Sequence, residues 1–327
     1  MLLRINLSCL LLLMTFKLSA ATVFVVDSYH AEYLWTSECR RGLESVFNDQ
    51  HQLTYAEMDT KRIPSSEFAN RGNDIWQKIL LANPDIVITM DDNALKYLGQ
   101  RVSDAGIPLV FMGVNNDPKV YFNNGAIPPN VSGVLERPLL KQNLKFLLPR
   151  LLDLKAHRTL LLMDSGVTSE AIVNTYRAQG GRDMIGGVQL DFYLANDFKE
   201  WQEKINSLSI DDYDAVLISS YSRLKNENGD QVSSEITTEW TSVNSNIPVF
   251  AFWRYSVGKN KAIGGFVNSG YKQGELAANI VDEILSVGTI PYIEKSADGE
   301  YLFSQYELER WGLKLPNNVL RRAELLE

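Results

Sequence analysis

Three carboxylates stand directly after two apolar stretches and could act together. Asp27 follows Thr22–Val26, and Asp91 and Asp92 follow Asp85–Met90. Carboxylate oxygens are the ligands that Mg²⁺ prefers, so such a cluster could support phosphoryl chemistry. That reaction also needs basic and nucleophilic partners, and the sequence shows none beside the acids. The same carboxylates could instead pair with a cationic group of a bound ligand.

Other enzyme chemistry has little support in the sequence. The three histidines, His30, His51 and His157, lack metal-ligand spacing, and the cysteines Cys9 and Cys39 form no zinc motif. A nucleophile elbow, a phosphate loop and a dinucleotide glycine fingerprint are all missing from the sequence. We therefore expect a protein that is not an enzyme and that needs no cofactor or metal.

The elements that must position these residues are repeated βα units. Apolar runs of strand length alternate with amphipathic segments of helical period, as when helices cover both faces of parallel sheets. This order predicts an α/β fold with two open, doubly wound parallel sheets. The predicted strands are Thr22–Val26, Leu53–Glu57, Asp85–Met90, Pro108–Met112, Val131–Leu135, Thr159–Met163, Gly187–Phe192, Ala215–Ser219, Pro248–Phe252 and Ala262–Phe266.

The length and the connections predict two lobes joined by a hinge of several strands. A helix over Pro138–Leu152 leads directly from the first half to the second, a helix over Gln273–Leu285 comes late, and a less regular tail follows. We predict residues 22–134 with 267–290 as lobe 1, and residues 135–266 with 291–327 as lobe 2.

The first 21 residues have the layout of a secretory signal peptide. One basic residue, Arg4, precedes an apolar run over Leu7–Phe16, and small residues follow near a cleavage point at Ala20 or Ala21. The run is shorter than the roughly 20 residues of a membrane span. We expect a periplasmic protein that does not span the membrane after cleavage.

The charge of the chain argues against a nucleic-acid partner. The formal net charge is −8, and removing Arg4 and Lys17 with the signal makes it −10. Phosphate backbones demand clustered Lys and Arg, which the sequence lacks. The remaining cysteine, Cys39, falls at an apolar helix position and is expected to be a buried, inert thiol.

Several blocks resemble one known family. Val26-Asp27-Ser28-Tyr29-His30 with Trp35, Thr89–Ala94, Pro108–Asn115, Val131–Glu136 and the late Ser269–Gly274 are similar to blocks of the ABC-transporter substrate-binding proteins with the type 1 periplasmic-binding fold. This resemblance covers nearly the whole mature chain. It implies a small organic solute, such as an amino acid, held between lobes that close by a hinge motion.

Ligands of doubly wound sheets bind beyond the carboxyl ends of the strands. Asp91 or Asp92 is expected to pair with a ligand cation, Arg254 with a carboxylate, and the aromatic residues with the apolar part. Asp92, Asn93 and Ser28 could alternatively cap helices, and the aromatic residues could simply be core. The candidate ligand-binding residues are Ser28, Tyr29, Trp35, Asp91, Asp92, Asn93, Asn115, Asp164, Tyr221, Trp253 and Arg254.

Three functions remain open on the sequence. The first is a solute-binding protein that delivers a small ligand to a membrane permease of the ABC type. The second is a free periplasmic sensor subunit, because relatives with this opening also occur in histidine kinases and diguanylate cyclases. The third is a metal-dependent phosphohydrolase at Asp27, Asp91 and Asp92.

Overall fold

The computed structural model describes residues 20–137, 139–178, 184–288, 293–295 and 299–327. Of the predicted signal peptide, residues 1–19 lie outside the described residues. Among the helices of the described ranges, none combines the length and apolar character of a membrane span.

The described elements alternate between strands and helices over most of the chain. The strands are β1 (Thr22–Asp27), β2 (Gln52–Glu57), β3 (Ile86–Met90), β4 (Leu109–Val114), β5 (Val131–Leu135), β6 (Arg158–Asp164), β7 (Met184–Ile185), β8 (Val188–Ala195), β9 (Ala215–Ile218), β10 (Val249–Ala251), β11 (Gly264–Val267), β12 (Glu294–Lys295), β13 (Glu300–Ser304) and β14 (Ala323–Leu326). The α-helices are α1 (Leu34–Phe47), α2 (Phe68–Ala82), α3 (Asp91–Asp104), α4 (Leu140–Gln142), α5 (Leu148–Leu151), α6 (Val167–Ala178), α7 (Phe198–Asn206), α8 (Ser234–Asn244), α9 (Gly270–Val287), α10 (Gln305–Arg310) and α11 (Asn317–Leu320).

Two parallel sheets form the two lobes, as the sequence predicts. The first sheet has the order β12-β5-β4-β3-β1-β2, and all of its pairs are parallel. The second has the order β10-β9-β6-β8-β7, in which only β7 is antiparallel among the described strands. In each sheet the first strand along the chain lies inside rather than at an edge. This creates the switch point beside which ligands of such folds bind.

A third sheet was not predicted. The strand expected at Ala262–Phe266 forms as β11, but it pairs antiparallel with β13, which pairs in turn with β14. The tail expected to be less regular therefore contributes two strands to this sheet, and its described residues also form the short strand β12 and two short helices. The strands β13 and β14 are short and partly polar, so their sequence pattern is weak; β13 is stabilised by pairing with β11, and β14 by pairing with β13.

The chain passes between the lobes more than once. It leaves the first sheet after β5, returns through β11 to α9, and contributes β12 to the first sheet before β13. The Asn143 side chain connects two of these passages. Its amide donates to the carbonyl oxygens of Leu139 (2.9 Å) and Phe266 (2.8 Å), and its oxygen accepts from the Phe266 N–H at 2.9 Å. The predicted lobe boundaries stay a prediction, although β12 adds residues 294–295 to the first sheet.

The helix predicted over Pro138–Leu152 is interrupted. Helices α4 and α5 flank a π-helical turn over Asn143–Leu147, and Pro138 lies outside the described residues. Pro149 has no N–H to donate to the carbonyl four residues earlier. The preceding turn has i→i+5 bonding instead, so the connection between the lobes is not a regular α-helix. The other long predicted helix is longer than expected, because α9 spans Gly270–Val287.

Helices α1 and α9 pack closely on the first sheet. A Cβ atom at Gly42 would lie 2.0 Å from the Tyr271 carbonyl oxygen, and one at Gly274 would lie 2.1 Å from the Cys39 carbonyl oxygen. Only glycine permits so close an approach. Cys39 is buried between these helices, as predicted, and burial raises the pKa of its thiol.

Candidate functional site

A cleft between the lobes collects polar and aromatic side chains from both sheets. It has an empty volume of about 340 Å³, which includes the part open to solvent. The residues that line it are Tyr29, Tyr33, Trp35, Lys61, Asp91, Asn115 and Glu136 of the first lobe, and Thr168, Ser220, Trp253 and Tyr255 of the second.

Asp91 lies at the first turn of α3, directly after β3, in a strained backbone conformation. Its φ of +66° is in the left-handed region, which a non-glycine residue seldom adopts. Such strain clusters at functional sites, where the surrounding structure maintains it. The carboxylate is 3% exposed, and its Oδ2 atom has no hydrogen-bond partner. A buried acceptor of this kind favours a ligand that donates to it.

Gly113 leaves room for the Asp91 carboxylate and the Trp35 indole to meet. It has a φ of +69°, and a Cβ atom there would lie 3.4 Å from Asp91 Oδ1 and 3.5 Å from Trp35 Nε1. The Trp35 Nε1–H donor is buried and also has no partner. An unpaired acceptor and an unpaired donor therefore lie near each other at the same end of the cleft. A ligand with an ammonium group and a nearby acceptor oxygen would satisfy both.

A second buried carboxylate, Glu136, follows β5. Its Oε2 atom accepts from the Asn115 amide at 2.9 Å, and its Oε1 atom accepts from the Asn268 amide at 3.2 Å. Asn268 precedes α9, so these contacts connect the ends of β4 and β5 to the returning chain. The side chain of Glu136 is thereby oriented toward the cleft.

Lys61 is the cationic residue among the described residues that line the cleft. It lies in the loop after β2. Its ammonium donates to Ser222 Oγ of the opposite lobe at 2.7 Å, and it lies 4.4 Å from the ring centre of Tyr29 and 5.5 Å from that of Tyr33. Both ring distances are within the range of cation–π attraction. Lys61 forms none of the ion pairs found in the described part of the chain.

Aromatic residues meet across the cleft at two places. The Trp35 and Trp253 rings are edge to face with centres 5.7 Å apart, and the Tyr33 and Tyr255 hydroxyl groups are 3.5 Å apart. The two lobes are therefore in contact across the cleft. Rings from both lobes enclose the space between them, as expected for a site that holds an apolar or cationic ligand.

Burial shifts the pKa values of the charged groups in the cleft. It raises the pKa of Asp91 well above its usual value, the charge of Asp92 adds to this, and Lys61 opposes it. Burial, followed by the charge of Asp91, also raises the pKa of Glu136. Burial lowers the pKa of Lys61, against the attraction of Asp164 and Asp91. The largest cause of each shift is burial, which disfavours the charged form of the side chain, and an opposite charge close by would favour that form.

Of the sequence-predicted candidates, the structure brings Tyr29, Trp35, Asp91, Asn115 and Trp253 together at the cleft. The others lie in a layer behind the cleft or elsewhere. They are Ser28, Asp92, Asn93, Asp164, Tyr221 and Arg254.

Ser28, Asp92 and Asn93 support the loops that carry the lining residues. Ser28 Oγ donates to the Met90 carbonyl at 2.6 Å and accepts from the Ala94 N–H at 2.8 Å, which satisfies a free donor at the start of α3. Ser28 is not itself an N-cap residue, because Tyr33 precedes α1 and Met90 precedes α3 at those positions, but it binds the start of α3 from the end of the neighbouring strand β1. The helix-cap alternative is also wrong for Asp92 and Asn93, because their side chains bond to other loops.

The loops in question follow β2 and β4. Asp92 accepts from the N–H groups of Asn115 and Asn116, both at 3.1 Å, and from the Tyr121 hydroxyl at 2.8 Å. The Asn93 amide donates to Thr60 Oγ1 at 3.0 Å, next to Lys61. These bonds fix the positions of Asn115 and Lys61 at the cleft.

The side chains of Asp164 and Tyr221 form their hydrogen bonds within the second lobe. Asp164 accepts from the Gly166 N–H, the Ser169 hydroxyl and the Arg223 N–H, each at 3.0 Å. The Tyr221 hydroxyl bonds to Ser256 and Thr238, and its ring packs on Trp201 in the core. Neither side chain lines the cleft.

Arg254 points away from the cleft. Its guanidinium forms ion pairs with Glu300 (3.0 Å) and Glu324 (2.5 Å) of the third sheet, and it lies 3.9 Å from Glu38 of α1. Arg254 is therefore not among the residues that line this cleft, where it was expected to meet a ligand carboxylate. Its neighbours in sequence, Trp253 and Tyr255, take the positions at the cleft, and the third sheet supplies the carboxylates that hold Arg254 outside.

The three carboxylates considered for Mg²⁺ do not converge. Asp27 pairs with Arg40, which also pairs with Glu57 at 3.0 Å. Asp92 accepts hydrogen bonds from the loop after β4. Of the three, only Asp91 lines the cleft. Burial raises the pKa of Asp27 to about 7 and outweighs the attraction of Arg40. In the described ranges, no group of three His, Cys, Asp or Glu residues is placed to hold a metal ion.

Six lining residues were not among the sequence candidates: Tyr33, Lys61, Glu136, Thr168, Ser220 and Tyr255. Glu136 directly follows β5, Ser220 is the second residue after β9, and Lys61 lies four residues after β2. The strand-end rule could have found these three. Tyr33, Thr168 and Tyr255 lie further into the loops, where the rule gives no signal.

Comparison with solved structures shows which fold this cleft belongs to. The ABC domain from Streptococcus pneumonia in complex with L-Trp matches with a TM-score of 0.66 and 14% identity, over 94% of this chain and 100% of that one. A ligand-free, open substrate-binding protein with adhesive properties from Clostridium difficile matches with a TM-score of 0.62 and 14% identity, over the same shares. A 5-methylthioribose transporter solute-binding protein from Thermotoga lettingae, in complex with its ligand, matches with a TM-score of 0.52 and 12% identity, over 85% of this chain and 84% of that one.

These matches show a shared fold. The chain has the two-lobed, type 1 periplasmic-binding-protein-like fold that its sequence predicts. LacI-type regulators also match, with TM-scores of 0.51 and 0.50, so the fold alone does not choose the function. No family model and no curated protein matches the sequence.

Proposed function

We propose that the chain is an extracytoplasmic solute-binding protein that captures a small organic amine, such as an amino acid, between its lobes without chemical change. The observation that carries this proposal is the buried Asp91 Oδ2 atom, which has no hydrogen-bond partner, in a cleft walled by aromatic residues of both lobes. A buried acceptor without a partner is costly, and a ligand ammonium group would remove that cost.

The partners of the ligand follow from the lining residues. Asp91, with Glu136 nearby, would receive the ammonium group, and the Trp35 N–H would donate to an acceptor oxygen. The rings of Trp35, Trp253, Tyr29 and Tyr33 would enclose the rest of the molecule. Solved proteins of this fold include one bound to L-Trp and one bound to 5-methylthioribose, which supports a small-molecule ligand for this chain. The chemical class of that ligand is inferred from the residues that line the cleft.

Lobe closure supplies the mechanism of capture. Residues of both lobes line the same space, so a ligand that contacts both stabilises the closed form relative to the open form. The hinge of several strands, braced by Asn143, guides this motion. The closed form then presents the outer faces of the lobes to a membrane partner, which we propose to be an ABC-type importer.

The binding proposal is tested by thermal-shift measurements on the protein without its first 21 residues. The probes are amino acids and matched compounds that lack the amino group, such as L-tryptophan and indole-3-propionate. We expect at least one amine to raise the melting temperature while its matched compound does not. Shifts from none of the amines would contradict the proposal.

Asp91→Asn tests the site itself. A charge-assisted hydrogen bond contributes about 1.5–3 kcal/mol, so affinity for the amine should fall roughly 10- to 100-fold. Asp74→Asn is the matched control, because Asp74 is exposed on α2. Isothermal titration calorimetry should show wild-type affinity for the control. Equal affinity in the Asp91 variant would place the ammonium group elsewhere.

The location and the partner are tested in cells. A fractionated bacterium that expresses the full chain should contain it in the periplasm, with residues 1–21 or nearly so removed. A strain without the gene should lose uptake of the labelled amine. Unchanged uptake, together with an altered kinase or cyclase output, would replace the importer with a sensor partner.

A further inference from the structure

The cleft holds more cation-attracting groups than one ligand ammonium needs. Two buried carboxylates, Asp91 and Glu136, face a space enclosed by several aromatic rings. Carboxylates attract cations through charge, and aromatic faces attract them through their quadrupoles. A cleft with these groups alone would suit a molecule with two positive charges, such as a diamine.

One of these cation positions is already occupied by the protein. The Lys61 ammonium lies over the Tyr29 and Tyr33 rings, at 4.4 and 5.5 Å from their centres, and bonds to Ser222 Oγ. The loop that carries it is held by Thr60, which donates to the Ser28 carbonyl at 2.8 Å and accepts from Asn93 at 3.0 Å. Lys61 is therefore a fixed part of the cleft wall.

The charges of the lining residues also indicate that the cleft accepts only one ligand cation. Asp91 and Glu136 are the acidic side chains of the lining and Lys61 is its cationic side chain, so these three residues have a net charge of −1 when ionised, although Asp164 behind the lining also attracts Lys61. The lining then lacks the charge to neutralise two ligand cations. A second ligand cation near Tyr29 and Tyr33 would also meet the Lys61 ammonium at short range in a poorly solvated space, where like charges repel strongly.

We propose that Lys61 is a specificity-determining residue that restricts the ligand to one cationic group. The Lys61 ammonium takes the position of a second ligand cation, so the cleft accepts monoamines and neutral amino acids and rejects diamines and basic amino acids. This inference rests on the proposed capture of an amine and adds a rule about its charge.

The test compares matched probes that differ by one amino group. The pairs are L-norleucine with L-lysine, and pentylamine with 1,5-diaminopentane. Calorimetry on the wild-type protein should show at least roughly tenfold tighter binding of the singly amino-substituted probe in each pair, a difference of about 1.4 kcal/mol.

Lys61→Met removes the charge and keeps the length of the side chain. We expect this variant to lose the preference, so that the ratio of the two affinities falls about tenfold or reverses. Lys61→Gln is a second neutral variant, and circular dichroism and a melting curve check that each is folded. Lys61→Arg should keep the preference, and so should Lys78→Met, which removes an exposed charge from α2.

The outcomes separate this inference from the proposed function. Ratios in both neutral variants within about twofold of the wild-type ratio, or a wild type that binds both members of each pair equally, would overturn the role of Lys61 while leaving amine capture intact. Failure of all four probes to bind the wild type and the neutral variants would count against amine capture, and with it against the inference.

Discussion

Asp91 and Glu136 determine how the cleft responds to pH. Burial raises the pKa of both carboxyl groups in the empty protein, so they hold protons at pH values where exposed carboxyl groups are ionised. A bound ammonium group favours the ionised form and lowers these pKa values. Ligand binding therefore releases protons, and affinity depends on pH in a direction set by this release.

We expect affinity for the amine to fall as the pH is lowered. Below the pKa of the empty cleft, the carboxyl groups must lose protons before the ligand binds, which costs free energy. Above that pKa they are already ionised, and affinity levels off. Titrations between about pH 5 and about pH 8, in buffers with different ionisation enthalpies, measure both the affinity and the protons released. Heats independent of the buffer, with constant affinity, would contradict this linkage.

The contact between α1 and α9 is the element-scale feature that shapes the first lobe. Gly42 and Gly274 allow the two backbones to approach, and α1 begins beside Trp35 while α9 begins beside Asn268. A change in the distance between these helices would therefore move both Trp35 and Asn268, and with them the cleft.

Gly274→Ala should strongly destabilise the protein. The new methyl group would overlap the Cys39 carbonyl oxygen, 2.1 Å away, and the Leu43 nitrogen, 2.8 Å away. Because both atoms belong to the α1 backbone, the helix itself must move, and overpacking of this kind costs about 3 kcal/mol or more. Urea unfolding followed by circular dichroism measures the loss. A free energy of unfolding within about 0.5 kcal/mol of wild type would show that the helices can separate freely.

At the scale of the whole molecule, individual side chains make contacts between the two lobes. The contacts that cross the cleft include Lys61 with Ser222, Trp35 with Trp253, and Tyr33 with Tyr255. Each joins a residue of the first lobe to a residue of the second. We therefore expect these side chains to influence how readily the lobes separate.

Tyr33→Ala should shift the empty protein toward the open form. It removes the ring contacts with Tyr29 and Tyr255 and one of the two rings near Lys61. We expect a larger radius of gyration in small-angle X-ray scattering, and a return to the wild-type value at saturating ligand. Tyr306→Ala, at an exposed position on α10, is the control. An unchanged radius of gyration in the Tyr33 variant would show that other contacts hold the lobes closed.

Much of the fold was predictable because it depends on local patterns. Apart from the two-residue strands β7 and β12, the described strands of both parallel sheets were predicted within a few residues of their observed ends, since buried apolar runs in βα units are a strong signal. The third sheet was not predicted, because β13 and β14 are short, β13 pairs with β11, which is distant in sequence, and β14 pairs with β13. The π-helical turn before Pro149 also escaped, because its cause is a missing hydrogen bond within a helix of ordinary periodicity.

The candidate site was predictable only as a set of strand ends. That rule placed Tyr29, Asp91 and Asn115 correctly at the edge of the first sheet, and the same rule applies to Glu136 and Ser220, which were not selected. It could not separate Asp91 from Asp92, whose carboxylates have different partners.

The sequence by itself determined the two α/β lobes and the sheet edge at which polar residues gather, because apolar periodicity decides which segments become strands and where they end. Tertiary structure alone decided which of those residues face the cleft. Arg254 is drawn outward by carboxylates of the third sheet, Tyr221 is held in the core by Ser256 and Thr238, and Lys61 is brought over Tyr29 and Tyr33. Each of these positions depends on partners distant in sequence, which only the folded chain brings together.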